Sequence, residues 1–291
     1  MPTVAVIPAA GFGTRLRPLT NTLPKEMLPV GRHLALEQIV AEMQAAGITK
    51  IVFVLSPVKE PLIRGRFGDT DAAAGTTFAY VLQPAMRGLG DAILQAENEV
   101  PKNRPFVVAL GDAVFEEPEI GGLTRRLAVA SAEAGAAVGL TVQRVPQERL
   151  SKYGVVKPVS ETTGGDSFPI SDIVEKPAPG EAPSDYAATA RYVVSPDVFA
   201  VLREIRPGKG GEIQFTDAMR SLLASGRTGV AVPLRPGEAR HDLGGLESYF
   251  KAFAAFALAD PDHGASLRAY LEERFASGED PLRTRKEDTP T

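Results

Sequence analysis

The sequence predicts an α/β fold, a mostly parallel sheet with helices on both faces, continued by a second and looser lobe. Three observations predict it. Short apolar runs rich in β-branched residues recur through the first 145 residues, amphipathic stretches of helical length separate most of them, and a glycine-rich loop follows the first run directly. Strands apolar on both faces, alternating with amphipathic helices, are the pattern of a parallel sheet covered on both sides.

Taken in order, strands are predicted at Val4–Ile7, Lys50–Leu55, Phe78–Leu82, Phe106–Leu110 and Ala137–Val142, with helices at Leu34–Ala46, Gly90–Glu99 and Leu123–Ala134 between them. From Lys152 the pattern loosens. Tyr153–Val159, Ile170–Glu175 and Thr189–Val194 read as strands, interrupted by Pro/Gly/Ser-rich excursions at Thr162–Phe168 and Lys176–Asp185. Helices at Asp197–Glu204, Glu212–Leu223 and Leu246–Ala257 follow, then a last helix at Ala265–Phe275. No polar linker separates the lobes, so residues 1–260 are expected to form one domain with halves 1–145 and 146–260. A C-terminal helix within 261–276 and a charged tail over 277–291, expected to be disordered, complete the chain.

Composition narrows the function classes. The 291 residues, 44% hydrophobic and 23% charged, are those of an ordinary globular protein. A formal net charge of −4 argues against a nucleic-acid polymer as partner, because such binders carry a basic face. The absence of Cys excludes disulfides, thiolate zinc sites and a thiol nucleophile, and three His residues give no multi-His metal pattern. No apolar run approaches the ~18 residues of a membrane-spanning helix, and no secretion signal is legible, so a cytoplasmic protein without membrane contact is expected.

The most informative stretch is Gly11–Val30, GFGTRLRPLTNTLPKEMLPV, which packs Arg15, Arg17 and Lys25 into a loop rich in Gly, Thr and Pro. Glycines admit a ligand close to backbone N–H groups, and those groups with fixed cations suit a polyphosphate. The spacing is neither that of a P-loop nor that of a dinucleotide fingerprint, since Leu16 stands where the third Gly of the latter would be. In parallel sheets ligands bind beyond the carboxyl ends of strands, where this loop, Gln83 and Asp112 all fall. Asp112 and Asp242 each end a short strand; together they suit a hard cation on phosphate oxygens, while either alone reads better as a turn residue or helix cap. Gln83, with Gly88 behind it, offers donor and acceptor to a base edge, or a plain helix start. Glu175-Lys176-Pro177 ends another strand and reads either as a sugar and phosphate contact or as an exposed ion pair.

Taken together, these residues resemble the sugar-1-phosphate nucleotidyltransferases, specifically the bacterial UTP–glucose-1-phosphate uridylyltransferase branch. The likeness spans roughly residues 3–258. It rests on Gly11-x-Gly13-Thr14-Arg15 with Pro24-Lys25-Glu26-Met27-Leu28-Pro29, on Val174-Glu175-Lys176-Pro177, on Ala190-Arg191-Tyr192-Val193, and on Gly211-Glu212-Ile213-Gln214-Phe215-Thr216-Asp217-Ala218. The resemblance implies a Rossmann-like three-layer α/β/α sandwich on a mixed, mostly parallel central sheet, with a nucleotide-binding first half and a sugar-binding second half.

It also implies Mg²⁺-dependent transfer from UTP to glucose 1-phosphate, giving UDP-glucose and pyrophosphate, by an oligomer (a dimer or tetramer). By that likeness Arg15, Lys25, Asp112 and Lys176 are the catalytic set, with Asp112 and Asp242 on the metal. Ala10, Gly11, Gly13, Thr14, Arg15, Glu26, Gln83 and Gly88 would bind the nucleotide; Gly154, Glu175, Lys176 and Tyr192 would bind the sugar phosphate. The sequence departs from the family at Ala113, where a second Asp is common, at Asp91, where relatives commonly carry His, and at Gly31-Arg32-His33. The rival readings are a thymidylyltransferase, a non-catalytic nucleotide-sugar sensor, and a glycosyltransferase, whose Asp-x-Asp motif is missing from Gly111-Asp112-Ala113-Val114.

Overall fold

The computed structural model describes residues 1–160, 165–208 and 211–277, so part of the Thr162–Phe168 excursion and the tail from 278 lie outside the described residues. The first half contains β1 (Val4–Pro8), a hairpin of β2 (Pro29–Val30) and β3 (His33–Leu34), α1 (Ala35–Ala45), β4 (Lys50–Leu55), α2 (Glu60–Phe67) and β5 (Thr70–Asp71). It continues with β6 (Thr76–Leu82), α3 (Leu89–Gln95), β7 (Phe106–Ala109), β8 (Ala113–Glu116), α4 (Gly122–Glu133) and β9 (Val138–Arg144). The second half contains β10 (Gly154–Pro158), β11 (Phe168–Glu175), β12 (Tyr186–Val194), α5 (Asp197–Glu204), α6 (Phe215–Ala224) and β13 (Gly229–Pro233). β14 (Ala239–Asp242), α7 (Leu246–Leu258) and α8 (Gly264–Ala276) complete the described chain.

Side chains along a strand alternate between faces, and β1 shows what that does here. Val4 and Val6 join a core with Ile93 of α3, Phe199 of α5 and Phe215 of α6. Ala5 and Ile7 join another with Leu36 and Ile39 of α1, Leu127 of α4 and Tyr249 of α7. Helices therefore cover both faces, which gives the three layers. Each fully buried Val, Ile or Leu on these faces contributes about 1.5–3 kcal/mol relative to exposure.

Ten strands form the central sheet in the order β10-β11-β13-β9-β12-β7-β1-β4-β6-β5. Parallel pairing runs through β7, β1, β4 and β6, and again between β9 and β13. β12 is antiparallel to both β7 and β9, and β10, β11 and β13 pair antiparallel. The sheet is thus mixed, as expected, with most of its parallel pairings in the first half of the chain. Strands of the two halves interleave, because β9 lies between β12 and β13.

Two differences from the predicted elements bear on the site. α6 begins at Phe215 and not Glu212, because Ile213 is held in an extended bridge: its N–H donates to Arg87 and its carbonyl accepts from Gly90. β8 and β14 form a separate antiparallel ribbon in which Asp242 lies opposite Ala113. Four features then meet at one edge: the loop after β1, Lys59 after β4, Gln83 after β6 and Asp112 after β7.

Candidate active site

The glycine loop lies across the carboxyl ends of β1, β4, β6 and β7 and walls a cleft of about 410 Å³. Gly111 permits the crossing, since a Cβ there would stand 2.9 Å from the Pro8 carbonyl oxygen. Ala10, Gly11, Gly13, Thr14, Lys25, Glu26, Gln83, Gly88 and Asp112 all line this cleft, so the fold brings these sequence-predicted residues together. Among the described residues, no acceptor is engaged by the backbone N–H groups of Gly11, Phe12, Gly13 and Thr14. Such a run of free donors is what a phosphate needs.

Lys25 Nζ donates to Asp112 Oδ2 at 2.6 Å. Burial alone would lower the Lys25 ammonium, but Asp112, Glu26 and Asp242 around it raise it above its ordinary value. Burial would likewise raise the Asp112 carboxyl; the charge and hydrogen bond of Lys25, with Arg240 behind them, hold it below its ordinary value. This pair is therefore more firmly ionised than its isolated members.

Beneath it lies a second pair of the opposite character. Lys59 Nζ donates to Glu26 Oε2 at 2.7 Å, to the Ala9 carbonyl at 2.8 Å and to the Gly11 carbonyl at 2.5 Å. Burial pushes the Glu26 carboxyl up despite Lys59, and pushes the Lys59 ammonium down despite Glu26. Lys59 thus pins both the glycine loop and Glu26. Glu26 Oε1 is left buried with no partner among the described residues. Sequence reasoning missed Lys59; its one signal is a lone cation following β4 at the same edge as the loop.

Arg15 and Asp242 lie outside the walls of the cleft but are drawn together beside it. Both crowd Gly244, where a Cβ would stand 2.7 Å from Arg15 Nη2 and 2.7 Å from Asp242 Oδ1. The β8–β14 ribbon carries Asp242 alongside Asp112, and the Leu243 N–H donates to the Asp112 carbonyl at 2.8 Å. No group of three or more His, Cys, Asp or Glu residues suited to a metal occurs among the described residues. A pair of carboxylates is nonetheless a fitting set of hard oxygen donors for Mg²⁺, which takes one or two carboxylates and completes its shell from phosphates and water. Arg240, missed from sequence, approaches Asp242 at 3.5 Å and lowers Asp112 electrostatically.

The residues expected on the sugar form a separate cluster. Gly154 pairs with Glu175 across β10 and β11. Glu175 Oε2 accepts from Thr216 Oγ at 2.8 Å, and its Oε1 lies 3.0 Å from Lys176 Nζ. Tyr192 stands edge-on to Phe215 at 5.4 Å, and burial, with Glu175 next in effect, pushes its phenol up. None of Gly154, Glu175, Lys176 and Tyr192 lines the cleft of the glycine loop. Ala113, where the family often has Asp, is fully buried and its carbonyl accepts from Arg191 at 3.0 Å.

The Nucleotidyl transferase family model matches residues 4–258. UTP–glucose-1-phosphate uridylyltransferase 2 of Streptococcus pyogenes serotype M3 is 35% identical over 288 residues, covering 92% of this chain and 94% of its own. UTP–glucose-1-phosphate uridylyltransferase YngB of Bacillus subtilis is 35% identical over 289 residues, covering 92% and 94%. A UDP-glucose pyrophosphorylase solved with UDP-glucose superposes with a TM-score of 0.80 at 32% identity, over 89% of this chain and 100% of that one. The UTP-bound enzyme from Acinetobacter baumannii gives 0.79 at 28% identity, over 94% and 99%. With the match spanning both halves of the sheet and the whole site, the chain belongs to the nucleotidyl transferase family.

Proposed function

We propose that this protein transfers the uridylyl group of UTP to α-D-glucose 1-phosphate, releasing pyrophosphate and forming UDP-glucose. The observation that carries the reading is the Lys25–Asp112 pair at the mouth of a loop whose backbone donors are free. The named relatives support the choice of substrates. A phosphate oxygen of glucose 1-phosphate attacks the α-phosphorus; the new P–O bond forms as the bond to the α,β-bridging oxygen breaks, and pyrophosphate leaves. The sugar phosphate is already an anion at neutral pH, so no general base is needed. Catalysis reduces to alignment and charge neutralisation.

Within that reading the backbone of Ala10 and Gly11, with Gln83 and Gly88, receives uracil. Gly13, Thr14 and Arg15 take the triphosphate, and Lys25 stabilises the departing pyrophosphate. Glu26 Oε1 accepts from a nucleoside hydroxyl. Gly154, Glu175 and Tyr192 line the glucosyl pocket of the 146–260 half, and Lys176 contacts the sugar phosphate. Asp112 and Asp242 would hold Mg²⁺, which when bound supplies positive charge to the nucleotide phosphate oxygens. Use of a nucleoside triphosphate supports a cytoplasmic setting. Phe250 and Phe253 on α7 and Tyr270 and Phe275 on α8 are exposed, which supports assembly as a dimer or tetramer.

The test is incubation of the purified protein with Mg²⁺, glucose 1-phosphate and each of ATP, GTP, CTP, UTP and dTTP, with products identified by mass. UDP-glucose and stoichiometric pyrophosphate are expected from UTP. No nucleotide sugar from any triphosphate would overturn the reading, and a clear preference for dTTP would redirect it to thymidylyl transfer.

A further inference from the structure

Gln83 follows β6 at the wall of the cleft with 3% of its surface exposed, and its amide is not free to turn. Nε2 donates to Asp91 Oδ2 at 2.8 Å and to the Gly88 carbonyl at 3.1 Å. Both partners are acceptors only, so the amide nitrogen must face them and both its hydrogens are used. Asp91 is itself 2% exposed and fixed from the other side, its Oδ1 accepting from Arg87 Nη2 at 2.9 Å. Gln83 Oε1 accepts no hydrogen bond among the described residues, and it belongs to a residue that lines the cleft. The neighbouring Gly88 has a φ of +96° and its N–H engages no acceptor among the described residues.

We infer that Asp91 is a specificity-determining positioning residue: it locks Gln83 with its carbonyl oxygen toward the base, selecting pyrimidines that carry an N3–H over cytosine. Uracil and thymine offer N3–H to Gln83 Oε1 and O4 to the Gly88 N–H. Cytosine offers a lone pair at N3 and an amino group at C4, so acceptor would meet acceptor and donor would meet donor. A Gln able to rotate could serve either base; the carboxylate, the shorter and charged of the two contacts beside the Gly88 carbonyl, removes that choice, because an oxygen turned toward Asp91 would leave two acceptors in contact with no proton between them. The inference rests on the uridylyl-transfer reading and concerns the residue that enforces base choice within it.

The test measures kcat/KM for UTP, dTTP and CTP at saturating glucose 1-phosphate and Mg²⁺, in wild type, Asp91→Ala, Asp91→Ser and Arg87→Ala. Both Asp91 variants should lower the UTP-to-CTP ratio at least about tenfold, the scale of one hydrogen bond to a charged partner, through KM for UTP and dTTP together. Arg87→Ala keeps the acceptor facing Gln83 and should hold the ratio within about twofold. Folded Asp91 variants that keep the wild-type ratio, or that lose UTP and CTP activity in parallel, would overturn the inference. Wild type supplies a check that needs no variant: 3-methyl-UTP, which lacks the N3–H, should also lose at least about tenfold, and its use on a par with UTP would overturn the inference. Wild type that turns over no pyrimidine nucleotide overturns the transfer reading and this inference with it.

Discussion

The proposed nucleotide side and the proposed sugar side of this protein are built on different terms. Around the glycine loop, Lys59, Glu26, Gln83 and Asp91 are all buried and bonded to one another or to the loop backbone. On the sugar side the Lys176 side chain is 60% exposed and its partner Glu175 is only half-buried. Preorganised, buried charge acts strongly on a developing charge, whereas an exposed pair is screened by water. Under the proposed function the difference would give a rigid site for the triphosphate and a compliant one for the sugar.

Both sides hang on β12, and breaking it should produce the largest effect. Tyr192 points into the core under α3, α5 and α6, while Arg191, one residue away, points to the opposite face. There it makes a bidentate pair with Glu42 of α1 at 2.8 and 2.6 Å, and Glu42 also accepts from Thr124 at 2.6 Å. Arg191→Met would leave Glu42 buried without its counter-charge, at a cost of about 3–5 kcal/mol in denaturant unfolding. A loss below about 1 kcal/mol, the scale of an exposed pair, would show that this residue does not anchor the strand.

Lys25→Ala tests the rigid side directly. The ammonium is fixed on Asp112 before any ligand arrives, so removing it should lower kcat by about 10²-fold or more, the scale of one preorganised electrostatic group. Activity within about threefold of wild type at saturating substrates would remove Lys25 from the chemistry.

The same contrast governs what could be read from sequence. The loop residues were legible because Gly13, Arg15, Lys25 and Glu26 lie within one short segment after a strand. The alternating cores of β1 and β4 were legible from continuous apolar runs. The role of Lys59 was not, because its partner Glu26 is brought near only by the parallel order of β1 and β4, and Asp91 showed only as a departure from the family until the turn from β6 into α3 set it against Gln83. Arg191 was visible as part of a motif, yet the pleat that sends it to α1 while Tyr192 faces α6 became clear only with the strand placed between β7 and β9. β13 escaped notice because Gly229–Pro233 is only five residues long and is bounded by Gly and Pro, residues disfavoured in strands, even though Ser225-Gly226 and Pro236-Gly237 mark turns on either side.

The buried Lys59–Glu26 pair offers a pH test of how dry the rigid side is. Lys59→Met should destabilise the fold by about 1–3 kcal/mol at pH 8, since Glu26 would remain buried with its acceptors unmatched. Glu26 is already raised above its ordinary value of 4.5 by burial, and loss of Lys59 raises it further. A carboxyl raised in the folded state favours folding fully below its unfolded value, and that contribution is lost as pH rises through the folded value. The variant should therefore lie closer to wild type at pH 5 than at pH 8. An equal deficit at both pH values would mean that Glu26 is not the stranded charge.

The compliant side should give the smallest effect and the most selective one. Lys176 has a φ of +45° and its backbone N–H donates to the Tyr153 carbonyl at 2.9 Å, so the chain aims it even though its side chain stays in water. Its ion pair with Glu175 contributes no more than about 1 kcal/mol, so Lys176→Ala should leave the melting temperature nearly unchanged. KM for glucose 1-phosphate should rise about tenfold, about 1.4 kcal/mol of binding, while KM for UTP stays put. A parallel rise in both constants would mean that Lys176 serves the triphosphate, and would move it from the sugar side to the nucleotide side.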